Sequence, residues 1–302
     1  MSPLRVGLVL PMTSDDAERV LSFARRAEDL GFDGLFAFDH FFPPGAPSDR
    51  PSLEAYATLA AVAAVTTRIA VGTLVTRASL RSAGLLARQA AALADVSEGR
   101  FILGIGTGDA VSKAEHEVFG LPYLERDPRR DHLIEVVRAV RALFDARPWS
   151  GGEHVPPMPG PLLPAPRTPG GPPVWIGGES EAVARIAAHE ADGWNGWGLD
   201  VGTFAERTSL LRSEADTREV EATWAGTVVV GRDADDAGRL AEARRARGRA
   251  PDPFVGDLGA AAAWLARLEE AGATWAILNA AGGRERMELI GERLLPGLVT
   301  PA

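Results

Sequence analysis

RVGLVLPMTSDD, residues 5–16, is the stretch on which the fold turns. The apolar run from Arg5 to Pro11 reads as a buried strand, and Ser14 to Leu30 reads as a helix with Ser14 at its N-cap. Val20, Leu21, Ala24, Ala27 and Leu30 line one face of that helix, and Gly31 suits its C-terminal cap. A doubly wound, dinucleotide-binding sheet usually carries Gly-x-Gly-x-x-Gly at this first strand-to-helix turn. The turn here is Pro-Met-Thr-Ser-Asp-Asp, with no glycine. A (β/α)8 barrel is preferred, provided the chain supplies eight repeats.

It does. Further strands read at Gly34–Phe38, Arg68–Thr76, Phe101–Gly106, Pro173–Gly177, Gly193–Trp197, Thr223–Val230 and Thr274–Ala280. Helical periods lie between them at Leu53–Val65, Leu80–Val96, Lys113–Phe119, Pro128–Asp145, Ser180–His189, Thr203–Asp216, Ala234–Arg247 and Leu258–Ala271, with a last helix at Arg284–Leu294. Residues Arg147–Pro173 are rich in Pro and Gly and have no usable period, which marks an inserted excursion between the fourth and fifth strands. The expected organisation is one TIM-barrel domain over residues 1–302, with 147–173 as the excursion.

Composition narrows the chemistry. The chain has 302 residues, 46% hydrophobic and 24% charged, with a formal net charge of −9. That acidity argues against a general nucleic-acid binder, which needs a basic face. No cysteine occurs, so disulfides, thiolate catalysis and cysteine-based metal sites are excluded. The apolar run before Pro11 is too short for a secretory signal, and stretches such as Ala55–Val65 and Gly259–Leu265 are too short or too interrupted to span a bilayer. A soluble cytoplasmic protein without membrane partners is expected.

In a barrel, function sits at the C-terminal ends of the strands. After the second strand comes Asp39-His40, followed by Phe41-Phe42-Pro43-Pro44-Gly45. A histidine there can move protons near neutral pH, and Asp39 is positioned to orient it. The other four histidines, His116, His132, His154 and His189, offer no short metal-ligand spacing, so no metal site is expected. Gly104-Ile-Gly-Thr-Gly-Asp109 after the fourth strand is either a tight turn needing room or a loop whose backbone approaches a ligand. Gly177-Gly178-Glu179-Ser180 leads from the fifth strand into a helix start that suits phosphate, although Glu179 argues against an anion directly beside it. Asp39 and Asp109 formally supply a glycosidase pair, a reading that leaves the glycine-rich turns unexplained.

Five segments in order, RRAEDLGFDGLFAFDHF (25–41), TTRIAVGTLVT (66–76), LARQAAALADVSEGRFILGIGTGD (86–109), VWIGGESEAVARIAAHEADGWN (174–195) and LEEAGATWAIL (268–278), resemble the bacterial luciferase-like flavin and deazaflavin oxidoreductases. The pattern is most similar to branches using the deazaflavin coenzyme F420. The resemblance implies that Asp39 and His40 lie beside the reactive face of the ring. It implies that Thr73, Leu74 and Val75 back the ring, with a non-prolyl cis peptide among them. It places Thr107, Gly108 and Asp109 near ring and substrate, with Asp109 a candidate acid, and gives Gly177, Gly178 and Ser180 to the cofactor phosphate. His40 and Asp109 are then the expected catalytic residues. The implied activity is hydride transfer between F420 and a small organic substrate. The alternatives are an FMN-dependent two-component monooxygenase using O₂ and a non-catalytic flavin-binding relative.

One departure bears on substrate. Sugar-phosphate dehydrogenases of this group carry a Trp shortly after the Asp-His pair and substrate-binding lysines, whereas here Phe41-Phe42-Pro43-Pro44-Gly45 follows and Lys113 is the sole lysine. Phe41, Phe42, Trp194 and Trp197 read either as an apolar or aromatic substrate pocket or as barrel-rim core. Relatives commonly form homodimers, which is the expected assembly.

Overall fold

The computed structural model describes residues 3–43, 50–110 and 112–298; Pro44 and Gly45 of the proline stretch lie outside the described residues. Strands run in chain order as β1 (Arg5–Val9), β2 (Gly34–Ala37), β3 (Ala70–Thr73), β4 (Thr76–Arg77), β5 (Phe101–Gly106), β6 (Val174–Gly177), β7 (Gly193–Trp197), β8 (Glu221–Gly231), β9 (Phe254–Asp257) and β10 (Trp275–Ala280). The helices are α1 (Ala17–Asp29), α2 (Ala55–Val65), α3 (Ala83–Val96), α4 (Lys113–Val118), α5 (Arg126–Phe144), α6 (Glu181–Glu190), α7 (Val201–Ala215), α8 (Ala234–Ala246), α9 (Leu258–Glu270), α10 (Arg284–Arg293) and α11 (Leu295–Leu298).

All the strand pairings are parallel, in the order β1-β2-β3-β5-β6-β7-β8-β10, and β10 pairs back onto β1 to close the ring. The expected (β/α)8 barrel is therefore the fold. Closure leaves no free edge between the eight strands, and the helices cover the outer apolar face.

Several details differ from the sequence reading. The N-cap of α1 is Asp16, whose side chain accepts from Glu18 and Arg19 N–H; Ser14, two residues upstream, instead accepts the N–H of Asp16 at 3.0 Å. The carboxylate satisfies two of the orphan N–H groups and complements the helix dipole. Strand β9 was hidden between two helical periods: Phe254–Asp257 pairs with Val228–Gly231, extending β8 beyond its pairing with β7. The 147–173 excursion forms no long element, yet it is pinned. Trp149 and Met158 exchange backbone hydrogen bonds of 3.0 and 2.9 Å, and the Glu135 carboxylate of α5 accepts the N–H groups of Glu153, His154 and Val155, each at 2.8 Å.

The barrel interior is plugged by aromatics. Phe36 stacks on Trp175 at 5.7 Å and meets Trp275 edge-on at 5.6 Å, and the two indoles lie 5.9 Å apart. Glycines opposite them make the room: a Cβ on Gly34 would stand 2.7 Å from Trp275, one on Gly72 2.8 Å from Phe36, and one on Gly193 2.5 Å from Trp175. Large rings facing bare backbone fill the space densely without strain.

The third strand, read as continuous from Arg68 to Thr76, is broken. Gly72 pairs with Ile102 and Thr76 with Ile105, so three residues, 73–75, face two, 103 and 104. This is a β-bulge, a device that re-aims side chains at a barrel rim. The Leu74–Val75 peptide within it is cis, as the resemblance implied. Leu74 joins the interior plug, while Val75 lies over Gly104, Gly106 and Gly177, where a Cβ would approach it to 2.9, 2.6 and 2.8 Å. Of the two readings left open for the Gly104 loop, the need for room holds at Gly104 and Gly106, which make way for the bulge. Thr73 ties the bulge down, its Oγ1 donating to Gly104 O at 2.8 Å and accepting from Gly104 N at 2.9 Å.

At Gly104 an added Cβ would stand 2.1 Å from the carbonyl oxygen of Thr73, which is backbone and has nowhere to go. Gly104→Ala is expected to destabilise the fold by about 1–3 kcal/mol. Gly238→Ala, in α8 with open space around it, is expected to stabilise by about 0.5–1 kcal/mol. Thermal melts of the two variants beside wild type check both signs.

Candidate active site

β2 delivers Phe38, Asp39 and His40 to the C-terminal mouth, and β4 delivers Thr76 and Arg77 next to them. Asp39 is 3% exposed, so its charge must be met inside the protein. Arg81 grips it through both terminal guanidinium nitrogens, Nη1 to Oδ2 and Nη2 to Oδ1, the latter at 3.2 Å, and Thr76 Oγ1 donates to Oδ2 at 2.6 Å. Arg81 also reaches Glu54 at 2.8 Å and lies 4.5 Å over the ring of Tyr56, whose hydroxyl meets Thr76 Oγ1 at 3.1 Å. Burial, and then the charge of Asp39, push the Tyr56 phenol well above its ordinary value. Asp39 therefore serves this network; it is not the group that orients His40.

That group is Glu115, on α4, which the sequence reading missed. Its Oε1 lies 2.6 Å from His40 Nδ1, and its Oε2 accepts the Phe41 N–H at 2.8 Å and Arg77 Nη2 at 2.6 Å. Arg77 is itself buried and also donates to the carbonyl of Asp39 at 3.2 Å. Burial alone pushes the Glu115 carboxyl up. The hydrogen bonds from His40 and the Phe41 N–H, with the charges of His40 and Arg77, outweigh it and hold the group below its ordinary value. Nothing in the spacing of Lys113–Val118 marks Glu115 as inward-facing; only the path of the chain after β5 brings it beneath His40.

Asp109 is exposed and turned to local work. Its Oδ1 accepts from Ser112 N–H at 2.9 Å and Ser112 Oγ at 2.6 Å, and no hydrogen bond joins it to His40. Beside it, Thr107 Oγ1 donates to Gly108 O at 2.9 Å, and Gly108 takes a φ of +73° directly over the Arg77 side chain. At the next rim position, Gly178 N–H donates to Asn195 O at 3.0 Å and Ser180 caps α6, accepting from Val183 N–H at 3.4 Å. Glu179 between them is raised above its ordinary value by burial and by the charge of Asp109. Arg207, unnoticed in the sequence, donates to Glu179 O at 3.3 Å and Glu181 Oε1 at 3.2 Å, placing a cation beside this helix start.

The four aromatics of the sequence reading divide. Trp194 is fully buried against Phe204, with its Nε1 donating to Gly178 O at 2.8 Å, and Phe42 is 6% exposed, so both are core. Trp197 and Phe41 are half-buried. Trp197 meets Phe38 edge-on at 5.3 Å, and Phe38 meets His40 at 6.3 Å. Phe41 packs at 4.3 Å on Phe119, which is 54% exposed.

The frame of the site is a parallel eight-stranded barrel with a bulged third strand and a histidine at the second strand's end. The sequence profile described as luciferase-like monooxygenase matches residues 3–296, and the chain belongs to that family. Among curated relatives, an F420-dependent hydroxymycolic acid dehydrogenase of Mycobacterium tuberculosis is 31% identical over 245 residues, covering 78% of this chain and 61% of that protein. The uncharacterized protein Rv0940c of the same organism is 33% identical over 171 residues, 55% of this chain and 56% of that one. The matched stretches thus span less than two thirds of these relatives' own length. An F420-dependent secondary alcohol dehydrogenase, solved with an F420-acetone adduct, superposes with a TM-score of 0.85 at 18% identity, covering 99% of this chain and 100% of that one. Among the described residues no helix is long and apolar enough to cross a membrane, and no three His, Asp or Glu side chains group as metal ligands.

The Arg81–Asp39 pair has side chains only 9% and 2% exposed. Arg81→Met leaves Asp39 charged and buried, and is expected to cost about 3–5 kcal/mol of stability. Chemical denaturation of the variant beside wild type measures the loss.

Proposed function

We propose that the chain is a coenzyme F420-dependent oxidoreductase that exchanges a hydride between the deazaflavin and a carbon of a small, largely apolar substrate. The observation that carries this reading is His40. Its Nδ1 is anchored on Glu115, while Nε2 makes no hydrogen bond to any described residue. The relatives named for F420 and the barrel likeness to an F420-dependent alcohol dehydrogenase support the choice of cofactor.

The residues fit such a group. Leu74 and Val75 give the mouth an apolar floor, since Leu74 closes over the aromatic plug and Val75 spans three glycines. The α6 start offers N–H donors and a favourable dipole for a phosphate near Gly177, Gly178 and Ser180, with Arg207, paired to Glu181, alongside. Thr107 and Gly108 complete the rim. When bound, the deazaflavin supplies a two-electron partner that takes or gives a hydride. The protein contributes position and proton handling. His40 Nε2 accepts the proton a substrate hydroxyl loses, or returns it in the reductive direction. Asp109, exposed and already engaged by Ser112, serves as the secondary acid.

The substrate class follows from what surrounds His40. Phe38, Trp197, Phe41 and Phe119 present aromatic surface, and Glu115, the carboxylate on His40, is paired with Arg77. An alcohol, carbonyl or polarised alkene with apolar substituents suits this wall better than a sugar phosphate. The homodimer implied by the resemblance is part of the same proposal, and light scattering reads it.

Side-by-side titration of purified protein with F420 and FMN is the deciding measurement. Tighter binding of F420 is expected, with turnover of apolar alcohols or their carbonyl counterparts and no oxygen uptake. His40→Ala is expected to keep F420 binding and lose about 10²–10⁴-fold in kcat, with Asp109→Ala losing less. Preferential FMN binding with oxygen-dependent turnover overturns the reading, as does an unaffected His40→Ala. Binding without turnover across a broad panel leaves a flavin-binding protein instead.

A further inference from the structure

We propose that Glu115 is a positioning residue: it holds His40 as the tautomer protonated on Nδ1 and so fixes Nε2 as the nitrogen available for proton transfer. The arrangement leaves little choice. A carboxylate only accepts hydrogen bonds, so an imidazole nitrogen 2.6 Å from Glu115 Oε1 must carry the proton. In a neutral ring the other nitrogen is then an acceptor.

Glu115 also controls where the ring stands. Its second oxygen holds the backbone N–H of Phe41, the residue directly after His40, so one carboxylate fixes both the side chain and the main chain leaving it. At 1% exposure Glu115 has no water to exchange these partners for. It is held in turn by Arg77. Arg77 Nε and Nη1 are buried without a partner, so the guanidinium charge is met by Glu115 and the Asp39 carbonyl. Base, orienting carboxylate and a cation fixing that carboxylate form a chain in which each member limits the freedom of the next.

This role deepens the oxidoreductase reading, and its kinetic consequences rest on that reading; the tautomer does not. Glu115→Gln alone strands a buried Arg77 charge, so the test also uses Arg77→Met/Glu115→Gln, which removes both charges together. Long-range proton–nitrogen correlation spectra of histidine-labelled apoprotein, at a pH where imidazole is neutral, report which nitrogen of His40 is protonated. Wild type is expected to show Nδ1–H, and the double variant a mixture of tautomers or Nε2–H. In turnover, the double variant is expected to lose about 10–100-fold in kcat, with KM changed much less. Glu115→Asp, still ionised, is expected to recover part of that loss. A wild-type His40 protonated on Nε2, or a folded double variant with an unchanged tautomer, overturns the proposal. A wild type that neither binds nor uses F420, yet shows Nδ1–H lost in the double variant, overturns the oxidoreductase reading and leaves Glu115's role standing.

Discussion

Two buried ion pairs, Glu115 with Arg77 and Asp39 with Arg81, hold the barrel mouth together. Each couples a carboxylate almost without solvent to a guanidinium almost equally buried. Charges so placed are tolerable only when geometry is good and remaining hydrogen bonds are met. That requirement drags the surrounding chain into register. The second strand's exit, the strand after the bulge and the start of α3 are tied through Asp39, Thr76 and Arg81. The same exit and α4 are tied through Glu115 and Arg77.

The bulge makes this possible. A regular third strand would send successive side chains to alternate faces without interruption. The extra residue at 73–75 turns Leu74 onto the aromatic plug and returns the chain so that both Thr76 and Arg77 end buried beside β2. Its cost in space is borne by Gly104, Gly106 and Gly177, on neighbouring strands. Two glycines of β5 and one of β6 thus serve one valine, and the site's polar network follows from a packing arrangement beneath it.

Within the network the adjacent residues Asp39 and His40 separate in duty. Asp39 is anchored by Arg81 and Thr76 and belongs to the scaffold. His40 keeps one nitrogen uncommitted beside the rings of Phe38 and Phe41. The substrate class proposed for the chain rests on that division around His40.

The sequence by itself determined the alternation of eight strands with helices, because burial on a sheet and on a helix imposes different periods on apolar residues. It also determined that His40 stands at a strand end and Ser180 at a helix start, since both are local facts. It did not show β9, too short a run among polar neighbours to announce a strand, nor the true cap at Asp16, one of several adjacent candidates. The partners of His40 and Asp39 were out of its reach. Glu115 meets His40 across 75 residues, and Arg81 meets Asp39 across 42. No local period encodes such contacts, because they depend on how barrel closure sets the strand ends side by side. The tertiary structure alone decided which carboxylate orients the histidine.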